Sequence, residues 1–481
     1  MKCWVSLGHS IFGIVVASFV GAPFSAHALT LREAVTQALT TNPEILQAAQ
    51  NREAVEFELR QARGLYLPTL DLEGSVGVRR LDNPSRRTLG TAAQDLYPMD
   101  VGLSLKQTLF DGGARRSEVE AQAARVDGAS FRVLERSEAV ALAVTQEYLE
   151  ILLQAEIIAA ARENAGFHQQ ILGDIQQSVA GGALTDADRI QGQERLLSAS
   201  ARLKEASEEL EAAKIRFQRL VGVPLGTPKY PGSVAKMLPR SVDAAIALAR
   251  ENNPRIAAAG ADVDAADSSV RGANAAFLPT LSLEGRARVG TDIDGSTGYA
   301  SDLEAKVVAR WSLYRGGRDV AAKQERIRRA GEQRQVLSQI HREVEEAIRD
   351  AWNERTKRAE IAGLLREQAS TNARLVSSYR EQFRVGERSL LDVLSAQNTR
   401  FNTAVLAQTA AYASLFAEYR LLAATGKLAS TLSVATLEQS DAYAREEFRV
   451  PAAPATPDYT MLPSRQTSDS PFDLLAPVRQ K

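Results

Sequence analysis

Two short segments of the sequence carry acidic side chains at matching positions of a helix-starting motif. Residues 185–188 and 389–392 both fit the pattern Ser/Thr-x-x-Asp/Glu, with Thr185 and Asp188 in the first segment and Ser389 and Asp392 in the second. In this pattern the carboxylate can accept the backbone N–H of the Ser or Thr, which gives each aspartate a structural role. A carboxylate at a helix N-terminus also stays negative and available to a cation such as Arg388. Both interpretations remain open, and they are compatible with each other.

The rest of the sequence offers little catalytic chemistry. His168 and His341 are the only histidines after residue 28, and each falls within a long helical stretch. The patterns H-E-x-x-H, G-x-S-x-G and G-x-x-x-x-G-K-S/T do not occur. The glycine pairs at 112–113, 181–182 and 316–317 lack the residues of a phosphate loop and are typical of helix ends. The sequence therefore predicts no enzyme, no cofactor and no metal site.

The N-terminus is built like a secretory signal peptide. Lys2 precedes an apolar run over residues 11–20, and residues 26–28 read Ala-His-Ala, which predicts removal of residues 1–28. The only cysteine, Cys3, leaves with this segment, so we expect an exported chain without a disulfide, a thiol nucleophile or a lipid anchor. The formal net charge is −1, which gives no basic excess for binding nucleic acid.

One eight-residue phrase occurs twice and predicts two amphipathic strands. Residues 67–74 read LPTLDLEG and residues 278–285 read LPTLSLEG, and each copy opens an alternating apolar and polar stretch. Pro68 and Pro279 stand at the strand entries, where a missing N–H does least harm. Each strand is predicted to form a hairpin with a second alternating run, over about residues 69–109 and 280–313.

No uninterrupted apolar run of 18 residues follows residue 28, so a membrane-spanning helix is not expected. Lipid satisfies no backbone polar group, and any membrane crossing would therefore be a closed β-barrel. Four strands cannot close one, since bacterial barrels begin at about eight strands. Several chains would have to pool their hairpins. Taken singly, such a hairpin more often has one face on a soluble core.

Long helical stretches follow both hairpins, and the whole series of elements occurs twice. The helical hairpins are predicted over about residues 113–220 and 317–422, with turns at Gly182 and Gly386. The first repeat spans residues 29–222, an equatorial linker 223–240, and the second repeat 241–428. Prolines and glycines recur at corresponding positions of both repeats, which indicates a tandem duplication. We expect residues 429–481 to form a largely disordered tail.

The chain closely resembles the TolC-like outer-membrane factors over about residues 29–428. The resemblance rests on the L-P-T-L strand entries, the F-D-G-G and Y-R-G-G turns at 110–113 and 314–317, and the segment VGERSLLDVL at 385–394. It implies a mainly α protein with a membrane β-barrel. Three copies would form a 12-stranded barrel, which a 12-helix barrel continues across the periplasm. It also implies a passive exit duct that works with a periplasmic adaptor and an inner-membrane pump of the RND or ABC type.

The resemblance further implies a gate at the helix-hairpin tips. By position, Phe383 and Arg388 match the aromatic and the arginine of the family's closing links. Asp188 matches the acidic partner of that arginine, and Asp392 matches a ring aspartate. The second ring position is Ser395 here, a departure from the family pattern. The missing lipid cysteine argues against the lipidated branch dedicated to drug pumps. The chain resembles more closely the branch that serves type I protein secretion and multidrug efflux.

A soluble periplasmic coiled-coil scaffold is the rival hypothesis. In that protein the hairpins would cap a helical bundle with their apolar sides packed on the chain's own helices. The sequence does not identify the cargo, the pump or the adaptor, or distinguish export of drugs from export of proteins.

Overall fold

The structure, a computed structural model, describes residues 29–295 and 297–464. The predicted signal peptide with Cys3, and the end of the predicted tail, lie outside the described residues.

The first repeat contains nine elements. They are α1 (Leu31–Thr41), α2 (Pro43–Gly64), β1 (Thr69–Val76), β2 (Arg79–Arg80), α3 (Pro84–Thr88), β3 (Asp95–Leu96), β4 (Met99–Phe110), α4 (Ala114–Ala180) and α5 (Asp186–Val221). A short 3-10 helix, Ala235–Met237, lies in the link to the second repeat.

The second repeat follows the same order of long elements. They are α6 (Val242–Asn252), α7 (Pro254–Ala273), β5 (Thr280–Thr291), β6 (Tyr299–Arg310), α8 (Arg318–Arg384) and α9 (Leu390–Ala424), with 3-10 turns at Asn274–Phe277 and Ile293–Gly295. The C-terminal segment contains α10 (Leu428–Thr431), a 3-10 turn (Glu438–Ser440) and α11 (Ala444–Glu447). Helices α4 and α8 each have 67 residues, a length of about 100 Å at 1.5 Å per residue.

The duplication is visible in one contact that occurs in both repeats. Asn42 and Asn253 cap α2 and α7, each directly before the proline that begins the helix. The Asn42 side chain donates to the carbonyl of Leu220 at 3.0 Å, and the Asn253 side chain donates to that of Ala424 at 2.9 Å. Each asparagine therefore ties the start of its repeat to the end of the same repeat's helical hairpin.

The four long strands form one antiparallel sheet in the order β1-β4-β5-β6. The sequence pattern of two hairpins is confirmed, and the register joins them edge to edge. Leu72, Leu103, Ala287 and Leu303 stand in one cross-strand row of one face. On the other face, charged residues oppose one another across strands, as in the row of Lys106, Glu284 and Lys306.

The apolar face of this sheet is open to the surroundings. Leu72, Val76 and Leu303 are 73%, 82% and 86% exposed. The chain's own helices therefore do not cover this face, contrary to the packing that the scaffold hypothesis requires. None of the helices in the described part of the chain contains an apolar stretch long enough to cross a membrane.

The C-terminal segment corrects an expectation from the sequence. Asp127 on α4 and Asp264 on α7 are buried, and Arg445 bridges them at 2.9 Å and 2.8 Å. Farther along, the Tyr459 hydroxyl donates to the carboxylate of Asp267 at 2.6 Å. The expectation of a largely disordered tail is wrong for residues 429–464. Buried carboxylates on the helices need partners, and this segment supplies them despite its many prolines.

Candidate functional site at the helical hairpin tips

Both helical hairpins turn through a glycine in the left-handed region. Gly182 has φ +75° and Gly386 has φ +78°, a backbone conformation that costs an L side chain about 1–2 kcal/mol. The residue after each glycine donates its N–H to a carbonyl five residues back, at 2.9 Å in both tips. The two tips therefore have the same backbone turn, as expected for duplicated segments.

The first tip contains a complete capping box. The Thr185 hydroxyl accepts the N–H of Asp188 at 3.3 Å, and the Asp188 carboxylate accepts the N–H of Thr185 at 2.9 Å. The hydroxyl and the backbone N–H of Thr185 hold the pKa of Asp188 below its usual value. Asp188 therefore has the capping role that the sequence motif left open, and its carboxylate is a negative charge at the tip.

The second tip differs in how its aspartate is used. The Ser389 hydroxyl accepts the N–H of Asp392 at 3.2 Å, while the Asp392 carboxylate lies 3.9 Å from the guanidinium of Arg388. Arg388 also donates to the Gln382 side chain at 2.9 Å and lies over the Tyr379 ring at 4.5 Å. Arg388 is thus held by three partners of its own tip, two of which, Gln382 and Tyr379, no sequence motif singled out.

Phe383 anchors the second tip to the first hairpin. It is partly buried and packs against a cluster that joins α4 to α9, formed by Phe167, Ile171, Ile175, Leu390, Val393 and Leu394. Its apolar contacts therefore resist any separation of the two hairpins near their ends.

The structure of the single chain does not bring Asp188 and Arg388 together. Within the described residues neither a hydrogen bond nor an ion pair joins them: Asp188 is bound by Thr185, and Arg388 by Asp392 and Gln382. Their pairing stays a prediction.

A buried polar layer lies farther from the tips, between α4 and α9. Asn164 and Gln397 hydrogen-bond at 3.0 Å, and both are buried. His168 is also buried, and burial lowers its pKa. No group of three or more potential metal ligands was found in the part of the chain that the structure describes. Sequence reasoning missed the Asn164–Gln397 pair because the two residues are distant in the chain and belong to no motif.

The strand entries lie at the opposite end of the long helices. Pro68 and Pro279 directly precede β1 and β5, so neither proline removes a hydrogen bond from the sheet.

A sequence model of the family described as outer membrane efflux protein matches residues 34–223 and 245–427. The chain belongs to this family. The two matched ranges correspond to the two structural repeats, and the resemblance to TolC-like factors is confirmed. The family places the protein in the outer membrane, with its helices extending into the periplasm.

Individual members of the family align with most of the chain. The outer membrane efflux protein BepC of Brucella suis is 26% identical over 408 residues, covering 83% of this chain and 86% of BepC. The alkaline protease secretion protein AprF of Pseudomonas aeruginosa is 28% identical over 408 residues, covering 82% and 84%. The outer membrane protein TolC of Escherichia coli is 23% identical, covering 97% and 95%.

A solved structure shows the same fold. The CmeC outer membrane channel of Campylobacter jejuni superposes with a TM-score of 0.70 at 18% identity, covering 87% of this chain and 88% of CmeC. The architecture derived from the two repeats is therefore that of an outer-membrane channel protomer.

Proposed function

We propose that three copies of this chain form a passive exit duct through the outer membrane, closed at rest by the helical hairpin tips. The observation that carries the proposal is the sheet, with one apolar face exposed and one face lined by charge. An apolar face toward lipid and a polar face toward a water-filled lumen are the two sides of a transmembrane barrel strand.

The open edges of the sheet support assembly with further copies. Strands β1 and β6 are the outer strands of the four-stranded sheet and pair on one side only. An unpaired edge inside lipid leaves backbone groups without partners, so a membrane sheet must close. Neighbouring copies close it by placing β6 of one protomer beside β1 of the next.

The long helices have open edges in the same sense. Helix α4 packs on α5 and α9, and α9 packs on α8, which leaves α5 and α8 outermost. Exposed apolar side chains lie on both outer helices, Ile190, Leu197 and Ile215 on α5 and Leu364 and Leu375 on α8. Joining α5 of one copy to α8 of the next would bury these side chains and continue the barrel as a helical tube.

In the gate we propose, Arg388 and Asp188 face each other across neighbouring protomers and Asp392 contributes negative charge to the narrow end. The duct opens when the second hairpin moves away from the first, which breaks the contacts of Phe383. The proposed link between Arg388 and Asp188 of the next protomer breaks in the same movement. No chemistry on the cargo is required. Three equivalent tips act together, so the change in opening free energy is three times that of a single tip.

Planar-bilayer conductance of the purified trimer tests this gate. Arg388 is 40% exposed, so its proposed link to the next protomer contributes about 1 kcal/mol to the closed state. Its contacts with Asp392 and Tyr379 lie within one hairpin and are the same in both states. Over three tips, Arg388→Ala then shifts the ratio of open to closed channels by about a hundredfold. Asp188→Ala should also raise conductance, because it removes the proposed partner in the next protomer.

Arg358→Ala is the matched control for this experiment. Arg358 forms an ion pair with Glu354 four residues away at 3.7 Å, the same kind of contact as at the tip, but in the middle of α8. Its conductance should equal that of the wild type. If the conductance of Arg388→Ala and that of Asp188→Ala both equal the wild-type value, the gate assignment is wrong. The same measurement still tests separately whether the protein conducts ions as a channel.

We further propose that the duct works with a periplasmic adaptor and an inner-membrane pump of the RND or ABC type. BepC is named for efflux and AprF for secretion of a protease, so the relatives support both kinds of cargo. The scaffold alternative would be supported by a chain that fractionates as a soluble periplasmic monomer. Crosslinking in intact cells followed by co-purification from membranes would identify the adaptor and the pump.

A further inference from the structure

The junction between helices and strands has the composition of a membrane interface. Five exposed aromatic residues lie at or within a few positions of the strand ends that meet the helices: Tyr66 before β1, Phe110 at the end of β4, Phe277 before β5, and Trp311 and Tyr314 after β6. Aromatic girdles of this kind mark the boundary of the apolar band in outer-membrane proteins. The junction is therefore the level at which headgroups of the periplasmic leaflet reach the protein.

A cavity of about 450 Å³ opens at this level. It lies between the end of α2, the start of α4 and the C-terminal segment just after α11. Its lining consists of Arg63, Tyr66, Arg116, Val119, Glu120 and Phe448. Two cations and three apolar or aromatic side chains therefore surround one carboxylate.

The charges of this cavity leave one cation for a ligand. Glu120 is buried and accepts Arg116 at 2.8 Å and Arg271 at 3.0 Å, so its negative charge is already balanced. Arg63 is exposed, lies 5.4 Å from the centre of the Phe448 ring, and has no carboxylate within 4.0 Å among the residues that the structure describes. The cavity is thus electropositive at Arg63 and apolar on its Phe448 side.

We propose that this cavity binds a glycerophospholipid of the periplasmic leaflet. The headgroup phosphate is held by Arg63, the cation of the cavity that no carboxylate of the described residues balances, and the glycerol and upper acyl carbons lie against Tyr66, Val119 and Phe448. A guanidinium matches phosphate oxygens in charge and geometry, and the aromatic girdle places the cavity at headgroup depth. Because Phe448 belongs to the C-terminal segment, that segment completes the site. The inference rests on the proposed membrane position of the sheet.

Native mass spectrometry of the detergent-purified trimer, titrated with dioleoylphosphatidylglycerol, tests the proposal. Arg63→Gln is the informative variant, because Arg63 is exposed and its loss strips no buried partner. Loss of its charge-assisted contact should weaken lipid binding about tenfold, and Arg63→Lys should recover part of it. Arg366→Gln, at an exposed position in the middle of α8, removes the same charge elsewhere and should bind lipid like the wild type.

Two further ligands distinguish the source of the phosphate. Dioleoylglycerol has the acyl chains without phosphate, and sn-glycerol 3-phosphate has the phosphate without chains; both should bind at least tenfold more weakly than the phospholipid. Equal binding of dioleoylglycerol, equal binding of glycerol phosphate, or wild-type binding by Arg63→Gln would each overturn the proposal. A wild-type trimer that retains no lipid of any kind would overturn the membrane position of the sheet as well, whereas lipid retention unaffected by Arg63→Gln would overturn the cavity alone.

Discussion

Replacing Arg445 by methionine should release the C-terminal segment from the helices. The Arg445 guanidinium donates to Asp127 at 2.9 Å and to Asp264 at 2.8 Å. These carboxylates are 4% and 13% exposed. Methionine keeps the apolar stem of the side chain but leaves two buried carboxylates without a cation.

The cost follows from what remains around each carboxylate. Removing one partner of a buried ion pair typically costs 3–5 kcal/mol. Asp127 keeps three backbone N–H groups, those of residues 443, 444 and 445, and Asp264 keeps that of Ala453. The lower end of the range, about 3 kcal/mol, is therefore expected, which corresponds to about a hundredfold increase in the open population of the segment.

Hydrogen exchange read by mass spectrometry measures this opening. Peptides covering residues 441–464 should lose about a hundredfold in protection in Arg445→Met, while peptides from the middle of α4 keep theirs. Arg449→Met is the matched control. Arg449 lies four residues after Arg445, its side chain is exposed, and it forms no ion pair with any of the described residues. Unchanged protection in Arg445→Met would show that apolar packing around Ala444 and Phe448 holds the segment, and the reasoning from buried charge would fail.

Three further perturbations probe a buried carboxylate of α4, the sheet and the tips. Burial raises the pKa of Glu138 to about 7, against the opposing effect of two backbone N–H groups of α10. The protonated form is therefore favoured in the folded state, and wild-type stability relative to Glu138→Gln should fall by up to about 3 kcal/mol as pH rises from about 4.5 to 7. Thermal unfolding at several pH values will detect this loss. Leu72→Arg should reduce the fraction of folded trimer on unheated gels, since a lipid-facing arginine costs about 2–4 kcal/mol at the bilayer centre, whereas Ser75→Arg on the opposite face should not; equal loss in both would reverse the assignment of faces. Gly386→Ala should lower stability by about 1 kcal/mol through backbone strain alone, because an added Cβ meets nothing within 4 Å, and Gly386→Asn should cost less.

The sequence alone determined the features that depend on neighbouring residues. Alternation along residues 69–76 and 280–289 predicted strands with two unlike faces, because successive side chains of a strand point to opposite sides. The capping box at Thr185 and Asp188 was readable because its two residues are three positions apart. The duplication was readable because both repeats keep their glycines and prolines at corresponding positions.

Tertiary structure decided the contacts between residues that are far apart in the chain. The resemblance implied that Arg388 pairs with Asp188, but within one chain the two are not joined, and the guanidinium lies 3.9 Å from the carboxylate of Asp392. The order of the C-terminal segment was hidden, since its composition suggests disorder while its partners Asp127 and Asp264 belong to different repeats. Such a carboxylate looks like any surface acid in the sequence. Only folding removes it from water, and the energy of that desolvation is what makes a partner more than 180 residues away necessary.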